Sequence, residues 1–397
     1  MGERLPAAPW TRRADLPPLI AALEPANMRW VGGAVRDTLL GLDVADVDVA
    51  TSLLPEEVMA RLENAGVRAI PTGLEHGTIT AVCDGGNVEI TTLRRDVATD
   101  GRRATIAFAS DWHDDAARRD FTINALYAHP ETGNISDYFG GLEDLSARRV
   151  RFIGDAHERI CEDHLRILRY FRFHARFGAD LDDDAVQACN ELAGTLKGLS
   201  RERVAKELLA LLALPDPAKT VALMMQLGVW KIVVPETGPA DFGRLERLIA
   251  AEGKARIAPH PIRRLAALLP PVPTIANTVG TRLRMSRAQR ARLSTAAERS
   301  EGDANAPHAL AYREGKESAI DRLLLINAAP RDLPDWTIPT LPLKGGEIVE
   351  RGITPGPDIA RILRAIEHRW ILEGFPDRPR VEAILAEMLA TERGHSA

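Results

Sequence analysis

Two aspartates at alternating positions, Asp46 and Asp48 in the stretch DVADVDVA, have the spacing of oxygen ligands for a hard cation. On a strand, side chains two apart share a face. Val47 and Val49 then enter the core and the two carboxylates lie side by side, as Mg²⁺ coordination requires. Asp43 is out of step with them and falls in the preceding turn. A later strand, NVEITTL, sets Glu89 opposite to Val88 and Ile90. If the two strands are neighbours, Glu89 is a third acid at the same place. A solvated strand end also explains an isolated DxD, so the surroundings decide. Upstream, Gly32-Gly33-Ala34-Val35-Arg36-Asp37 reads as a glycine turn entering a helix. Backbone N–H groups there suit a phosphate, and Arg36 in the first turn reaches the same anion. The combination points to a nucleoside triphosphate held with Mg²⁺. The segment is neither GxGxxG nor GxxxxGK followed by Ser or Thr, so the dinucleotide and Walker readings fail.

Two other constellations carry charge where a core would not want it. ARRDFTINALY places Arg118, Arg119 and Asp120 just before an apolar run, with Asn124 beyond. EDHLRILR places Asp163 and Arg166 three apart, neighbours on one helix face. An ion pair along the helix is the plain explanation. The sharper one is base selection. Cytosine and adenine present an amino donor beside a ring-nitrogen acceptor, whereas uracil and guanine present the reverse. A carboxylate beside a guanidinium therefore accepts C and A and opposes U and G, because mismatched polar groups stay unpaired. Arg169, Arg172 and Arg176 continue the stripe, and Arg148, Arg149, Arg151 and Arg159 add to it. This is a local basic surface on a chain of net charge −5.

These residues need a scaffold that changes character along the chain. Strands are expected at 28–31, 44–50, 78–83 and 87–93, the last two joined by the hairpin signal Asp84-Gly85-Gly86. A helix starts at Pro55-Glu56-Glu57 and stops before Gly66. The stretch 94–115, RRDVATDGRRATIAFASDWHDD, has little periodicity and mixes charges with glycine. Its His113-Asp114 doublet is not a metal-hydrolase site. From Asp144 onward the pattern is helical, with helices near 156–178, 182–193, 201–213, 216–228 and 241–252. The aromatics Phe121, Tyr127, Tyr138, Phe139 and Phe152 gather at the changeover. The fold class is α+β: an N-terminal mixed-sheet head with helices, then an elongated all-α remainder. The expected domains are a head over 1–140 and three helical segments over 141–215, 216–300 and 301–397.

Composition sets limits on the rest. The 397 residues suffice for several domains, and 45% hydrophobic with 27% charged is ordinary for a globular chain. Three widely spaced cysteines, Cys83, Cys161 and Cys189, fit reduced thiols rather than a disulfide framework or a zinc site. The N-terminus lacks the apolar core of a signal peptide, and no run approaches a membrane span. The expectation is a cytoplasmic protein with no membrane partner.

VGGAVRD, DVDVAT, HGTIT, VEITTLRRD, ARRDFTINALY, DYFGGLEDL, RICEDHLRILRYFRF and LSRERVAKELLALL follow one another in order. With them, residues 25–212 resemble the tRNA CCA-adding enzyme and poly(A) polymerase family, the class II polymerase-β-like nucleotidyltransferases; the remainder resembles it more loosely. The resemblance implies nucleotidyl transfer to an RNA 3′ end with Mg²⁺ as cofactor and CTP, ATP and tRNA as partners. It puts the metal carboxylates on Asp46 and Asp48 and the third acid on Glu89. Nucleotide contacts fall on the Gly32-Gly33 turn, Arg36, and at least one of Arg118 and Arg119. Asp37 becomes support for the turn. Asp120 and Asn124 are implied either in ribose contact or in coupling the head to the next domain. Asp163 and Arg166 are the implied base readers, with Arg169 and Arg172 close to the nucleotide. The 94–115 loop is implied in switching nucleotides. VRAIPTGLEH at 67–76, in place of a basic segment, favours the tRNA enzyme over poly(A) addition. Enzymes adding only CC or only A, and a non-catalytic RNA-binding relative, are the alternatives.

Overall fold

The computed structural model describes residues 3–99, 104–109, 111–177 and 180–395. The chain forms two compact units, residues 1–235 and 236–397.

Among the described residues of the first unit lie nine strands: β1 (Met28–Val31), β2 (Val47–Thr51), β3 (Arg68–Gly73), β4 (Thr78–Val82), β5 (Val88–Thr92), β6 (Arg94–Thr99), β7 (Ala104–Phe108), β8 (Leu126–Ala128) and β9 (Ile135–Asp137). Seven of them make one sheet in the order β3-β4-β5-β2-β1-β8-β9, and β6 pairs with β7 apart from it. The β2–β5 pair is parallel, and its neighbours on both sides are antiparallel. The sheet is therefore mixed at its centre. The helix Pro55–Asn64 starts with proline and two glutamates, where its free N–H groups favour negative charge, and buries Val58 and Leu62. Val31, Ala50, Leu93, Tyr127 and Ile153 form one apolar cluster.

The sheet gives way to helices through packed rings. Phe121 lies 4.9 Å from Phe152 and 5.3 Å from Phe173, between ring centroids. Phe121 and Phe152 also form a backbone bridge. The aromatics at the changeover thus tie the strand region to the helix Arg166–Phe177.

Four expectations need correction. β2 starts at Val47, three residues later than expected, because the chain before it is an exposed turn. The 94–115 stretch is not a loop: it holds the β6–β7 hairpin and the helix Trp112–Ala117, with 100–103 and 110 outside the described residues. β3, β8 and β9 were too short or too poor in alternation to read. The helix expected over 156–178 is two helices, Ala156–Glu162 and Arg166–Phe177, separated at Asp163.

Every named element of the second unit is helical. One of its cores centres on Trp370, packed by Ile348, Ile362, Ile366, Ile384 and Leu385. Another part is ionic: Arg263 bridges Glu252 and Asp321, at 2.7 Å each, with all three side chains buried. Among the described residues no helix is long and apolar enough to cross a membrane.

Candidate active site

Strand register assembles the carboxylates. Asp48 on β2 sits directly beside Glu89 on β5 and beside Val31 on β1. Adjacent strands are about 4.8 Å apart, and register partners share a face. Val47, Val49, Val88 and Ile90 are buried, so Asp48 and Glu89 face the other way. Asp46 is exposed just ahead of the strand, and Asp43 is exposed in the turn. The condition set on Glu89 is therefore met. Burial first, then the Glu89 carboxylate, pushes the Asp48 carboxyl up to about 6, with Asp46 adding to it and Arg119 and Arg36 pulling against it. Negative charge concentrated this way is what a cation relieves. Among the described residues no group of three or more Asp, Glu, His or Cys side chains closes to metal-ligand geometry. The fit is to a carboxylate pair completed by substrate oxygens, as Mg²⁺ sites usually are.

The glycine turn adjoins this pair. Gly32 has φ +68°, where an L side chain is strained. A Cβ added there would lie 3.5 Å from the Arg119 guanidinium and 3.9 Å from an Asp48 oxygen. Gly33 begins the helix Gly33–Leu39 and borders Arg36.

Arg36 does not do what its position in the first turn suggested. It is buried at 4% exposure and turned inward. Its guanidinium bonds Asp37 at 2.8 Å and Asn124, and covers the rings of Phe173 and Phe177. Burial lowers its pKa from the usual arginine range. Asp37 likewise does more than steady the turn: its second oxygen accepts from Arg176 at 2.8 Å.

From there a relay of side chains runs from the sheet region into the helices. Asn124 donates to Asp120 at 3.0 Å, and Arg169 donates to the other oxygen of Asp120 at 2.7 Å. Arg169 lies 3.6 Å from Glu207, which also accepts from Arg172 at 2.6 Å. Burial pushes the Asp120 carboxyl up, but Arg169 and Asn124 outweigh it and pull it down to about 2. Of the two readings of Asp120 and Asn124, the geometry realises coupling between head and helices.

Arg118 and Arg119 diverge in role. Both pair with the buried Asp115, at 2.7 and 3.0 Å. Tyr127 donates to the same carboxylate at 2.7 Å. Burial pushes Asp115 up, but the two guanidinium groups hold it well below the usual carboxylate range. Only Arg119 adjoins Asp48 and Gly32. Arg118 instead lends its carbonyl to Arg159, at 2.6 Å, and to Arg166, at 3.3 Å.

The expected Asp163–Arg166 face is the clearest correction. Asp163 has extended backbone, φ −148° and ψ 102°, so it cannot share a helix face with Arg166. One oxygen of Asp163 accepts from the Leu165 amide at 3.1 Å, and the other from Arg203 at 2.6 Å. Arg166 bonds Glu162 and the Arg159 carbonyl, the latter at 2.7 Å. The two groups are not an ion pair, although both act electrostatically on the relay: Arg166 on Asp120, and Asp163 on Arg169.

Sequence reasoning missed Asp115, Glu162, Arg203 and Glu207. Asp115 and Glu162 had a local signal, since each stands four residues before an arginine. Arg203 and Glu207 had none, because their partners are distant in the chain.

Comparison with known proteins agrees with this geometry. Residues 28–151 match the family model described as the poly A polymerase head domain, and 178–240 match one described as a probable RNA and SrmB-binding site of polymerase A. A mitochondrial CCA tRNA nucleotidyltransferase 1 of Danio rerio is 37% identical over 87% of this chain and 83% of its own. A CCA-adding enzyme of Levilactobacillus brevis is 30% identical over 93% of this chain and 96% of its own. The crystal structure of the Bacillus stearothermophilus CCA-adding enzyme in complex with CTP superposes with a TM-score of 0.76 at 27% identity, over 96% of this chain and 100% of that one. A strand-built carboxylate pair, a basic helical neighbour and relatives matched nearly end to end converge on one conclusion: the chain belongs to the family of CCA-adding tRNA nucleotidyltransferases.

Proposed function

We propose that this chain adds CMP and AMP to the 3′ end of tRNA from CTP and ATP, releasing pyrophosphate, without a nucleic-acid template. The observation that carries the chemistry is the register of Asp48 with Glu89, with Asp46 ahead of them and Arg119 alongside. Asp46 and Asp48 would hold Mg²⁺. Bound there, divalent ions supply acidification of the attacking 3′-hydroxyl and charge relief at the leaving pyrophosphate. Glu89 orients the attacking hydroxyl. Arg119 offsets phosphate charge as it builds up, and Gly32 keeps the approach clear of a side chain. Arg36, Asn124, Asp120, Arg169 and Arg172 act through the relay, holding the Arg166–Phe177 helix against the nucleotide site.

Asp163 and Arg166 read the base edge. Their separate bracing supports this role. Arg203 holds Asp163 and Glu162 holds Arg166, so each group is positioned by its own partner. We assign the head to 1–140, the neck to 141–215, the body to 216–300 and the tRNA-binding tail to 301–397. A reducing, cytoplasmic setting fits the three free cysteines.

The test is purified protein with Mg²⁺, a tRNA lacking its 3′ CCA, and labelled CTP and ATP offered singly and together. Two C additions with CTP and one further A with both nucleotides are expected. Repeated A addition with ATP alone would replace this reading by poly(A) synthesis. No incorporation under any condition would end the enzymatic reading.

A further inference from the structure

Arg159 bonds both to the stretch that carries Arg119 and to Arg166. It lies on the helix Ala156–Glu162 and is buried. One nitrogen of its guanidinium donates to two successive main-chain carbonyls, those of Arg118 at 2.6 Å and Arg119 at 2.7 Å. A second nitrogen donates to Glu162, and the same Glu162 oxygen also accepts from Arg166. Arg166 in turn donates to the Arg159 carbonyl at 2.7 Å and to the Arg118 carbonyl at 3.3 Å. Side chain and main chain of Arg159 are thus both engaged.

The plain task of these bonds is to pack the helix Ala156–Glu162 onto Arg118 and Arg119. What lies at each end gives them a further one. The Arg119 guanidinium is held by Asp115 and Tyr127, each at 3.0 Å, beside Gly32 and Asp48. Its main chain is held by Arg159. Arg166 cannot move to meet a base edge without pulling on the Arg159 carbonyl, the Arg118 carbonyl or Glu162. Bonds made by a charged group are the strong ones, and a planar guanidinium fixes direction as well as distance. A misplacement of about 1 Å in a positioned group can cost about 10²-fold in rate.

We propose that Arg159 is a positioning residue that couples base reading to phosphate alignment. A base that satisfies Asp163 and Arg166 sets Arg119 in line for transfer, and one that does not leaves it out of line. The inference rests on the reaction and the base readers proposed above. A purely structural Arg159 slows every nucleotide alike, whereas a coupling Arg159 slows the matching one. Single-turnover rates at saturating CTP or UTP, on tRNA lacking its 3′ CCA, separate the two. Arg159→Lys keeps the charge and loses the planar fork. In it the CTP rate is expected to fall about 10²-fold and the UTP rate by less than about threefold. Arg119→Ala, altered at the phosphates alone, is expected to narrow the same CTP-to-UTP ratio by about tenfold or more. Equal fractional losses with CTP and UTP in either folded variant overturn the coupling and leave the reaction standing, so Arg119→Ala decides the matter if Arg159→Lys does not fold. No CTP incorporation by the unaltered chain overturns the reaction itself, and the coupling with it.

Discussion

The carboxylate site and the Asp163 region both hold charged residues in fixed positions, but by different means. Asp48 and Glu89 are fixed by strand register, and each is flanked by buried residues that forbid a slip. Asp163 and Arg166 are fixed by side chains from elsewhere, Arg203 and Glu162, around a break between two helices. A sheet sets its chemistry through the backbone. The helical region sets its own through a lattice of ion pairs. The first should tolerate no change in its few acids, and the second should respond in grades.

The largest effect expected is at the sheet. Asp48→Ala should lower single-turnover incorporation by about 10³-fold or more, the worth of several kcal/mol of transition-state charge stabilisation. Affinity for tRNA should stay within about twofold. Retained turnover would move the reaction off β2. Arg166→Ala should lower the preference for CTP and ATP over UTP and GTP by about 10²-fold, the scale set by unpaired polar groups in a reading site. Unchanged selectivity in a competition assay would reduce the Asp163 region to a scaffold.

The relay offers a third lever. Asp120→Asn removes the nearer carboxylate from a partly buried guanidinium that keeps Glu207, and should cost about 2 kcal/mol in urea unfolding. Because the folded carboxyl is held at about 2, below its unfolded value of about 3.9, its contribution is present above the unfolded value and lost as pH falls toward 2. The Asn variant should lack that part of the acid-side decline, and an identical decline in both chains would refute the linkage. The smallest effect belongs to Asp43→Ala. Exposed and out of step with the strand, it should change stability by under about 0.5 kcal/mol and activity by less than twofold. A larger loss would mean that strand parity chose the wrong acids.

The same contrast explains what the sequence disclosed. Parity on β2 and β5 is a local rule with a period of two, so the shared face of Asp48 and Glu89 was legible, whereas Asp46 lies ahead of the strand. β1 and the helix Pro55–Asn64 were legible for the same reason: burial pattern and start signal agree there. The break at Asp163 was not, because EDHLRILR has good helical periodicity and no proline or glycine. What ends the helix is an aspartate that bonds the Leu165 amide and an arginine forty positions on. Arg36 was misjudged in a related way. Its place in the first turn pointed outward to an anion, but the rings of Phe173 and Phe177, distant in sequence, draw it inward.

The parallel pairing of β2 with β5 also bears on how the chain comes to fold. Antiparallel neighbours can zip up from a turn, but a parallel pair must wait for the crossover between its strands. Here that crossover includes the helix Pro55–Asn64 and the strands β3 and β4. Asp48 and Glu89 therefore meet only after a long loop has closed, a slow step with little early compensation for its lost entropy. During synthesis the two acids stay apart until β5 has emerged. The charge repulsion between them arises only when β5 pairs with β2.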